Sequence, residues 1–526
     1  MRYARTNWGL LVLLVICAIV YRPWNAPHLP LTDFGIFLEA RGASPNLLSQ
    51  YSGIASYYIA EGRLCLITFL YMVLGSAAFG TWAPGWHWTY FVLNSAVLVL
   101  AWNFFAGIGI NRLTVFVVLA LWSMMGPTAE LWIRPAGEPV ALIFFLIALG
   151  QAFNYVDASD CRRRAIVIAL CAAGIILSKE ILVVLLPAGW LFSRLRLKDG
   201  EWSWAQWTRR DTYLLGIVAT VAVVLIIPIA YVATHAHKSS YSGEYGVASI
   251  EWSSLLNRLE MVLVPAAARL HWLKGIASDP AWTLVRVLPN LMWVAMIAVS
   301  AAAAKKRRML WPLVFGLVWA TTGVLAYLPW PGQGLFYMMP FAAGTMFLAA
   351  HALNGPLSRG NKNRRPVFLI GGALIVIASL EARSTIDQHR LRANLNAGVV
   401  DAIARQGGTN LLLAVVPDPR PGTGGWANHL RGFAGAKNGV RVTRWRDVTC
   451  AEGKQALDSL PDVVVVSTAG GCSELDKRST VVTDSTSRIV WPYLWKPLKS
   501  QGRMYVAYGS GARRVSDISS VSGNDR

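Results

Sequence analysis

The segment WHWTYFVLNSAVLVLAWNFFAGI (residues 86–108) contains no Lys, Arg, Asp or Glu. A helix of this length can cross the roughly 30 Å hydrocarbon core of a bilayer. Similar apolar runs recur up to about residue 380, and the 526-residue chain is 55% hydrophobic and only 15% charged. Soluble domains average about 25% charged residues. The sequence therefore predicts a multi-span helical membrane protein.

The apolar runs predict an all-α polytopic membrane protein with about eleven transmembrane helices. The predicted spans are 8–24, 86–108, 113–133, 136–155, 163–178, 180–195, 213–233, 284–303, 309–329, 335–353 and 366–382. Long apolar runs then stop, and short strand-like and helical stretches alternate: 396–406 (helix), 410–416 (strand), 450–460 (helix) and 462–467 (strand). We expect a transmembrane domain over 1–382, an α/β domain over 383–505 and an unstructured tail over 506–526.

Basic residues cluster in the short loops on one side of the predicted spans. These loops contain Arg2 and Arg5, Arg112, Arg162 to Arg164, the group from Arg194 to Arg210, Lys305 to Arg308, and Arg359 to Arg365. Short loops rich in Lys and Arg stay in the cytoplasm, so the N-terminus is predicted to be cytoplasmic. This pattern accounts for much of the net charge of +21 without nucleic-acid binding. The C-terminal domain is then extracytoplasmic, where Cys450 and Cys472 are able to form a disulfide.

Two apolar runs have a second interpretation. RLCLITFLYMVLGSAAF (63–79) is long enough to span, but a span here would move every later basic loop to the outside. We interpret it as a helix at the outer membrane surface, with a simple span as the alternative. The first run follows Arg2 and Arg5 and could be a cleaved signal peptide, although no small-x-small cleavage site follows it.

Ionisable residues lie at four sites that the predicted topology places on the outer side. They are Asp33 in LPLTDFGIFLEARG, Arg63 at the start of the surface helix, Arg134 with Glu138 in LWIRPAGEPVAL, and Lys179 with Glu180 between two short spans. Such groups at membrane depth are functional candidates. The alternative for each is structural: Arg134 would pair with Glu138, and the Lys179 ammonium would extend to the interface.

The four sites together favour a shared cavity that handles an anion. Its cations would bind a phosphate and stabilise the charge that develops as it leaves. A carboxylate some distance away would take a proton from an incoming hydroxyl. Because nucleotide sugars are absent outside the cytoplasm, an activated sugar there would arrive on a lipid phosphate.

The order of these motifs resembles that of the GT-C superfamily of polytopic glycosyltransferases, which includes protein O-mannosyltransferases, aminoarabinose transferases and arabinosyltransferases. The resemblance covers about residues 1–382. The matching segments are TDFG in the first outer loop, the surface helix GRLCLITFLYMVLG, FGTWAPGWHWTYFVLNSAVLVLAWNF, WIRPAGEPVAL, LSKEILVVLLP and YLPWPGQGLFYMMP (327–340).

This resemblance implies a hexosyl- or pentosyltransferase of the bacterial inner membrane that works on the periplasmic face. Its donor would be a polyprenyl-phosphate sugar, and its acceptor an envelope glycan, lipid or protein. Asp33 would be the general base of an inverting reaction, and Lys179, Arg134 and Arg63 would hold the donor phosphate. Supporting residues would be Gln333 and Tyr337 near the sugar or phosphate, Glu180, and Glu39 or Glu138 in place of a second acid, since Phe34 follows Asp33.

We expect no cofactor and no metal. Oligosaccharyltransferases of the superfamily hold a metal with an acid-x-acid motif, and no Asp-x-Asp occurs in the chain. His235 and His237 are expected to be surface residues. The alternative function is a transporter or flippase of a lipid-linked or anionic substrate, although the chain shows no internal repeat and its candidate charges lie on one side. An envelope phosphate-group or lipid ligase is a second alternative.

Overall fold

The computed structural model describes two compact units of the chain, which are treated separately below. The described residues are 8–25, 34–60, 62–133, 136–198, 201–235, 310–325, 339–354, 357, 364–405, 411–416, 442–460, 463–468, 472, 480–483, 488–489, 498–499 and 503–508. The first unit comprises Met1–Trp24, Ala55–Tyr71 and His87–Ile386, and the second comprises Asn25–Ile54, Met72–Trp86 and Asp387–Arg526. The predicted span 284–303 and the residues 236–283 before it lie outside the described residues.

The described part of the chain is mostly helical. Its helices are α1 (Trp8–Tyr21), α2 (Phe34–Ala43), α3 (Leu47–Ala60), α4 (Leu66–Phe79), α5 (Ala83–Gly107), α6 (Arg112–Met124), α7 (Gly126–Ala129), α8 (Glu138–Ala152), α9 (Cys161–Ser178), α10 (Leu186–Ser193), α11 (Arg209–His235), α12 (Leu310–Leu325), α13 (Met339–Asn354) and α14 (Arg364–Arg405). Three 3₁₀ segments cover Glu130–Trp132, Tyr155–Asp157 and Glu180–Leu185. Apart from 284–303, each predicted span coincides with one or more of these helical segments.

Two helices within the described residues are long and apolar enough to cross a membrane. They are Ala83–Gly107 and Arg209–Val232. Six further apolar segments are shorter than a full span: Trp8–Tyr21, Leu66–Phe79, Arg112–Met124, Glu138–Ala152, Glu180–Ser193 and Leu310–Leu325. The count of about eleven spans therefore remains a prediction.

Two glycines bring α12 and α13 close together in the first unit. A Cβ atom on Gly323 would lie 2.5 Å from the Phe341 nitrogen, and one on Gly344 would lie 2.5 Å from the Ala320 nitrogen. Small residues at a helix interface let the backbones approach closely, which strengthens packing within a membrane bundle. A hydrogen bond joins the end of α13 to the start of α6: the Asn111 backbone nitrogen donates to Asn354 Oδ1 at 2.8 Å.

The basic loop after α10 contains a β-hairpin that the sequence analysis did not predict. Strand β1 (Leu195–Lys198) pairs antiparallel with β2 (Glu201–Trp204). Arg194, at the hairpin base, is buried with the Asp211 carboxylate and stacks over Trp204 and Trp207, with its Cζ 5.6 and 5.4 Å from the ring centres. A buried guanidinium requires such a partner because removing its charge from water is costly.

The second unit contains a mixed five-stranded sheet of order β4-β3-β5-β9-β6. The strands are β3 (Leu411–Val416), β4 (Val442–Asp447), β5 (Val463–Thr468), β6 (Thr480–Thr483) and β9 (Arg503–Tyr508), and a separate two-stranded pair joins β7 (Arg488–Ile489) to β8 (Leu498–Lys499). The prediction of an unstructured tail over 506–526 is wrong for its first three residues, because Val506, Ala507 and Tyr508 pair with β5 in the sheet. The strands predicted at 410–416 and 462–467 are confirmed as β3 and β5. The helix predicted at 450–460 is confirmed as α15 (Cys450–Ser459), and Thr449 and Glu452 form its capping box.

The residues predicted as a helix at 396–406 are helical up to Arg405, but their helix begins much earlier than expected. These residues do not form a separate helix, because α14 runs without a break from Arg364 to Arg405 and includes the predicted span 366–382. No proline follows Pro366 within α14, so nothing in the backbone ends the helix where its composition becomes polar. Cys450 and Cys472 form a disulfide, with their Cα atoms 5.5 Å apart.

Candidate functional site

Lys179 lies at a break between two helical segments of the first unit. Helix α9 ends at Ser178, Lys179 is extended (φ −156°, ψ 99°), and the 3₁₀ segment begins at Glu180. The Lys179 nitrogen still donates to the Ile175 carbonyl at 2.9 Å, and its carbonyl accepts from Leu182 at 2.9 Å. The predicted turn between two short apolar runs is therefore confirmed. Irregular backbone at membrane depth is tolerated only where it is buried in protein or lines a cavity.

The Lys179 ammonium contacts the carboxylate of Glu138. The two groups are 3.4 Å apart, and their side chains are 12% and 1% exposed. Glu138 is the first residue of α8, where the positive end of the helix dipole stabilises a carboxylate. The alternative pairing of Glu138 with Arg134 is not tested, because Arg134 lies outside the described residues.

Arg63 reaches the same region from the segment between α3 and α4. Its Nε lies 3.8 Å from Oε1 of Glu180, and its guanidinium stacks over the Tyr58 ring with Cζ 5.6 Å from the ring centre. The Arg63 nitrogen donates to the Tyr58 carbonyl at 2.8 Å, which fixes the turn just after Gly62 (φ 83°). Cys65 joins this pair, because its thiol donates to the Glu180 carboxylate and accepts from Arg63 Nη2 at 3.7 Å.

Helix α4 is hydrogen-bonded to residues at the start of α8 and at the end of α9. Thr68 donates its hydroxyl to the Ser178 carbonyl at 2.6 Å, and Tyr71 donates to the Ala136 carbonyl at 3.1 Å. Gly137 makes this approach feasible, since a Cβ there would lie 2.5 Å from the Ser178 oxygen and 2.7 Å from Thr68 Oγ1. These contacts place the residues around Arg63, Glu138 and Lys179 in one rigid arrangement.

The described side chains of this cluster are balanced in charge. Arg63 and Lys179 each have a carboxylate neighbour, Glu180 and Glu138 respectively. A phosphate entering here would compete with those carboxylates for the two cations, which are donors of the type that binds phosphate. The cluster is therefore a preassembled pair of cations held in fixed positions, and both remain partly exposed.

Several predicted site residues have no described side chain. Asp33, Arg134, Gln333, Tyr337 and His237 lie outside the described residues. Glu39 lies on α2 in the second unit, and only its backbone is described. His235 is exposed at the end of α11, where its ring stacks on Tyr231 with ring centres 4.2 Å apart. Among the described residues, no group of three His, Cys, Asp or Glu side chains is arranged to hold a metal ion.

Sequence reasoning missed three side chains that build the cluster: Cys65, Thr68 and Tyr71. All three occur in an apolar run. In such a run, a thiol or hydroxyl side chain can serve in packing as well as in bonding to a charged group, so the sequence does not distinguish the two roles. Their spacing is a usable signal, because residues three or four apart on a helix share one face. Thr68 and Tyr71 are three apart on α4, so both face the start of α8 and the end of α9.

No family model and no curated protein matches the chain. Several solved structures do match the chain. ArnT from Cupriavidus metallidurans, bound to undecaprenyl phosphate, is 13% identical with a TM-score of 0.50, and the match covers 97% of this chain and all of that one. The apo form of the same protein gives 12% identity and a TM-score of 0.54 over the same shares of the two chains.

Two further structures match with a TM-score of 0.50 and 12% identity. The oligosaccharyltransferase AglB from Archaeoglobus fulgidus, in complex with an inhibitory peptide and a dolichol-phosphate, is matched over 88% of this chain and 70% of that one. The arabinofuranosyltransferase AftD from Mycobacteria is matched over 96% of this chain and 40% of that one. All three proteins are GT-C glycosyltransferases, so the chain has their fold and the resemblance drawn from the motifs is confirmed.

Proposed function

We propose that the protein is a membrane glycosyltransferase that moves a sugar from a polyprenyl-phosphate donor to an envelope acceptor on the periplasmic face. The observation that carries this proposal is the cation pair Arg63 and Lys179, fixed 3.8 and 3.4 Å from Glu180 and Glu138 within a fold shared by lipid-phosphate-binding proteins. That fold alone does not define the reaction, because one fold hosts many functions. The site chemistry must therefore agree with it.

The proposed reaction is a single displacement at the anomeric carbon of the donor sugar. The acceptor oxygen forms a bond to that carbon, and the bond from the carbon to the phosphate oxygen breaks. Asp33 takes the proton of the acceptor hydroxyl, and polyprenyl phosphate leaves with the bonding electrons. Attack from the face opposite the phosphate inverts the configuration at this carbon.

The cations have their effect on the leaving phosphate. Lys179, Arg63 and Arg134 would neutralise the negative charge that grows on the leaving phosphate. Electrostatic stabilisation of this kind is usually the largest single contribution to the rate enhancement. Charged donors in fixed positions need no reorganisation during the reaction. A lipid monophosphate needs no metal for this purpose, because Lys and Arg supply the charge. Glu138 and Glu180 would position the two described cations.

The other predicted site residues also belong to the proposal, although the structure describes no contact of their side chains. Gln333 and Tyr337 would line the cavity near the sugar or the phosphate, and Glu39 would be the second acid. Placement on the periplasmic side of a bacterial inner membrane is supported by the basic loops and by the disulfide between Cys450 and Cys472. Disulfides persist mainly outside the cytoplasm.

The direct test is a donor screen in membranes that lack the gene, with and without the purified protein. Candidate polyprenyl-phosphate sugars are added, and mass spectrometry measures free polyprenyl phosphate and the sugar on the acceptor. We expect both to appear together with one donor, and to be lost in Asp33→Asn. Donor movement across vesicle membranes without release of polyprenyl phosphate would instead identify a transporter, and transfer of the phosphate with its group would identify a ligase.

A further inference from the structure

A groove with an apolar wall lies within the first unit, between α8, α9, α10 and α11. The space along it that protein atoms leave empty is about 480 Å³, part of which is open to the surroundings. Small residues make the space: Ala148 and Ala152 on α8, Ala172 on α9, and Gly189 on α10. Ser193 lines it as well, but its hydroxyl is occupied, donating to the Trp190 carbonyl at 2.6 Å.

The groove runs along the bundle away from the charged cluster. On α9 its wall extends from Ile175 to Ile168, about 10 Å at the helical rise of about 1.5 Å per residue. Ile175 lies one turn before Lys179, while Leu214 lies one turn after Arg210. One end of the groove is therefore near the lysine, and the other is at the basic end of the bundle.

Basic residues surround that second end. The starts of α9 and α11 lie side by side there. Two hydrogen bonds join them: the Tyr155 hydroxyl donates to the Arg210 carbonyl at 3.3 Å, and Arg210 Nη1 donates to the Ala158 carbonyl at 2.9 Å. The local carboxylates are engaged: Asp157 pairs with Arg196, Asp160 with Arg164, and Asp211 with Arg194. In the part of the chain that the structure describes, Arg162, Arg163 and Arg209 are exposed and form no ion pair.

One polar group in the groove wall also lacks a partner. The indole Nε1 of Trp190 is buried, and no hydrogen-bond acceptor for it occurs among the described residues. Trp190 lies near the basic end, where its ring contacts Trp204 and Trp207 with ring centres 6.5 and 6.2 Å away. A buried indole N–H normally finds an acceptor, so an occupant with an ester carbonyl at this depth would satisfy it.

We propose that this groove binds an acyl chain of an anionic phospholipid from the cytoplasmic leaflet, with the lipid phosphate among Arg162, Arg163 and Arg209. Water does not fill a cavity lined by hydrocarbon, whereas the surrounding bilayer supplies acyl chains. Basic sites between helices on the cytoplasmic side bind anionic lipid headgroups. The placement uses the topology predicted from the basic loops and does not depend on sugar transfer. The bound lipid would fill the space between α11 and the helices that carry Lys179 and Glu138.

The charge distribution distinguishes this occupant from the tail of a polyprenyl donor. A donor with its phosphate at Lys179 would have its charged end at the opposite end of the groove. A phospholipid with its phosphate at Arg209 places its charge among the exposed arginines and its ester carbonyls near Trp190. Substituting the arginines should therefore weaken binding of a phospholipid and leave binding of a polyprenyl donor unchanged.

Native mass spectrometry of the full-length protein, purified from nanodiscs of equal phosphatidylglycerol and phosphatidylcholine, tests the proposal. We expect the native protein to retain one phosphatidylglycerol in preference to phosphatidylcholine. Gly189→Leu fills the groove and should lose this lipid. Gly150→Leu is the matched control, since Gly150 is exposed on α8 with nothing within 4 Å of a Cβ, and it should retain the lipid.

A second variant keeps the test decisive if Gly189→Leu does not fold. Replacing Arg162, Arg163 and Arg209 together by glutamine leaves the groove unchanged and should lower the preference for phosphatidylglycerol by roughly tenfold or more. Absence of bound phospholipid on the native protein, equal retention of both lipids, or an unchanged preference in the glutamine variant would overturn the proposal. Stoichiometric displacement by added undecaprenyl phosphate would overturn it too, and would assign the groove to a polyprenyl tail.

Discussion

At the residue scale, charge was the informative property of the sequence. Arg63, Lys179, Glu138 and Glu180 were singled out because ionisable groups in apolar runs are costly, and the structure brings all four together. Their pairing was not predictable. The sequence suggested Arg134 for Glu138, a pairing that lies outside the described residues, and gave no signal for the contact between Glu138 and Lys179, which lies at the break after α9.

Lys179→Ala should weaken donor binding and also slow sugar transfer, because the ammonium is proposed to stabilise the charge that grows on the leaving phosphate. A hydrogen bond to a charged group contributes about 1.5–3 kcal/mol, so KM for the donor should rise roughly 10- to 100-fold. The control is Lys198→Ala, which removes an exposed lysine from the hairpin. Donor titration of both variants measures the difference. An unchanged KM for Lys179→Ala would count against its phosphate role.

Asp33→Asn should lower the rate of sugar transfer by about 10²- to 10⁴-fold, which is the usual contribution of a general base. The amide cannot accept the proton of the incoming hydroxyl. Donor binding and thermal unfolding of this variant should match those of the native protein. A variant with full transfer activity would exclude Asp33 as the base.

At the element scale, the composition defined most helices but not their continuity. The end of the last apolar run suggested that a span ends near residue 382, yet α14 continues to Arg405, because a change in polarity does not break a helix. The hairpin β1–β2 was missed, although residues 195–204 alternate around Asp199 and Gly200, a pair typical of hairpin turns. The basic composition of this loop concealed that pattern.

Gly137→Ala should destabilise the packing of α4 against α8 and α9. The new Cβ would lie 2.5 Å from the Ser178 carbonyl oxygen, and forced overpacking costs about 1–3 kcal/mol. Gly150→Ala, at an exposed position of α8 with nothing within 4 Å, should have equal or slightly higher stability. Thermal unfolding of the two variants in detergent compares them, and equal melting temperatures would show that the approach of α4 is looser than described.

At the scale of the whole molecule, the order of motifs was sufficient to predict the fold at 11–13% identity to the matched structures. Each motif is short, but the order of the motifs along the chain matches that of the superfamily it resembles. The C-terminal sheet was predicted only in part. Strands β3 and β5 are continuous apolar runs, whereas the edge strand β4 (VTRWRD) has no such pattern.

The disulfide provides a test of topology that needs no activity assay. Cys450 and Cys472 should resist alkylation in freshly isolated membranes until a reductant is added, because the proposed topology places the C-terminal domain outside the cytoplasm, where disulfides persist. Replacing both by serine should destabilise this domain by about 2–4 kcal/mol, measured by limited proteolysis. Cys161→Ser, which removes a free cysteine, is the control. Alkylation of both thiols without reductant would place the domain in the cytoplasm.

The proposed function requires that Asp33 and Lys179 face one pocket that opens to the periplasm. The most direct test of this requirement is cross-linking of Asp33→Cys to Lys179→Cys in intact cells, using a short membrane-impermeant reagent with two thiol-reactive groups and a protein whose four free cysteines are replaced by serine. We predict that the cross-link forms and that a polyprenyl phosphate reduces its yield. Modification of the two positions from opposite faces of the membrane, without a cross-link, would contradict the account.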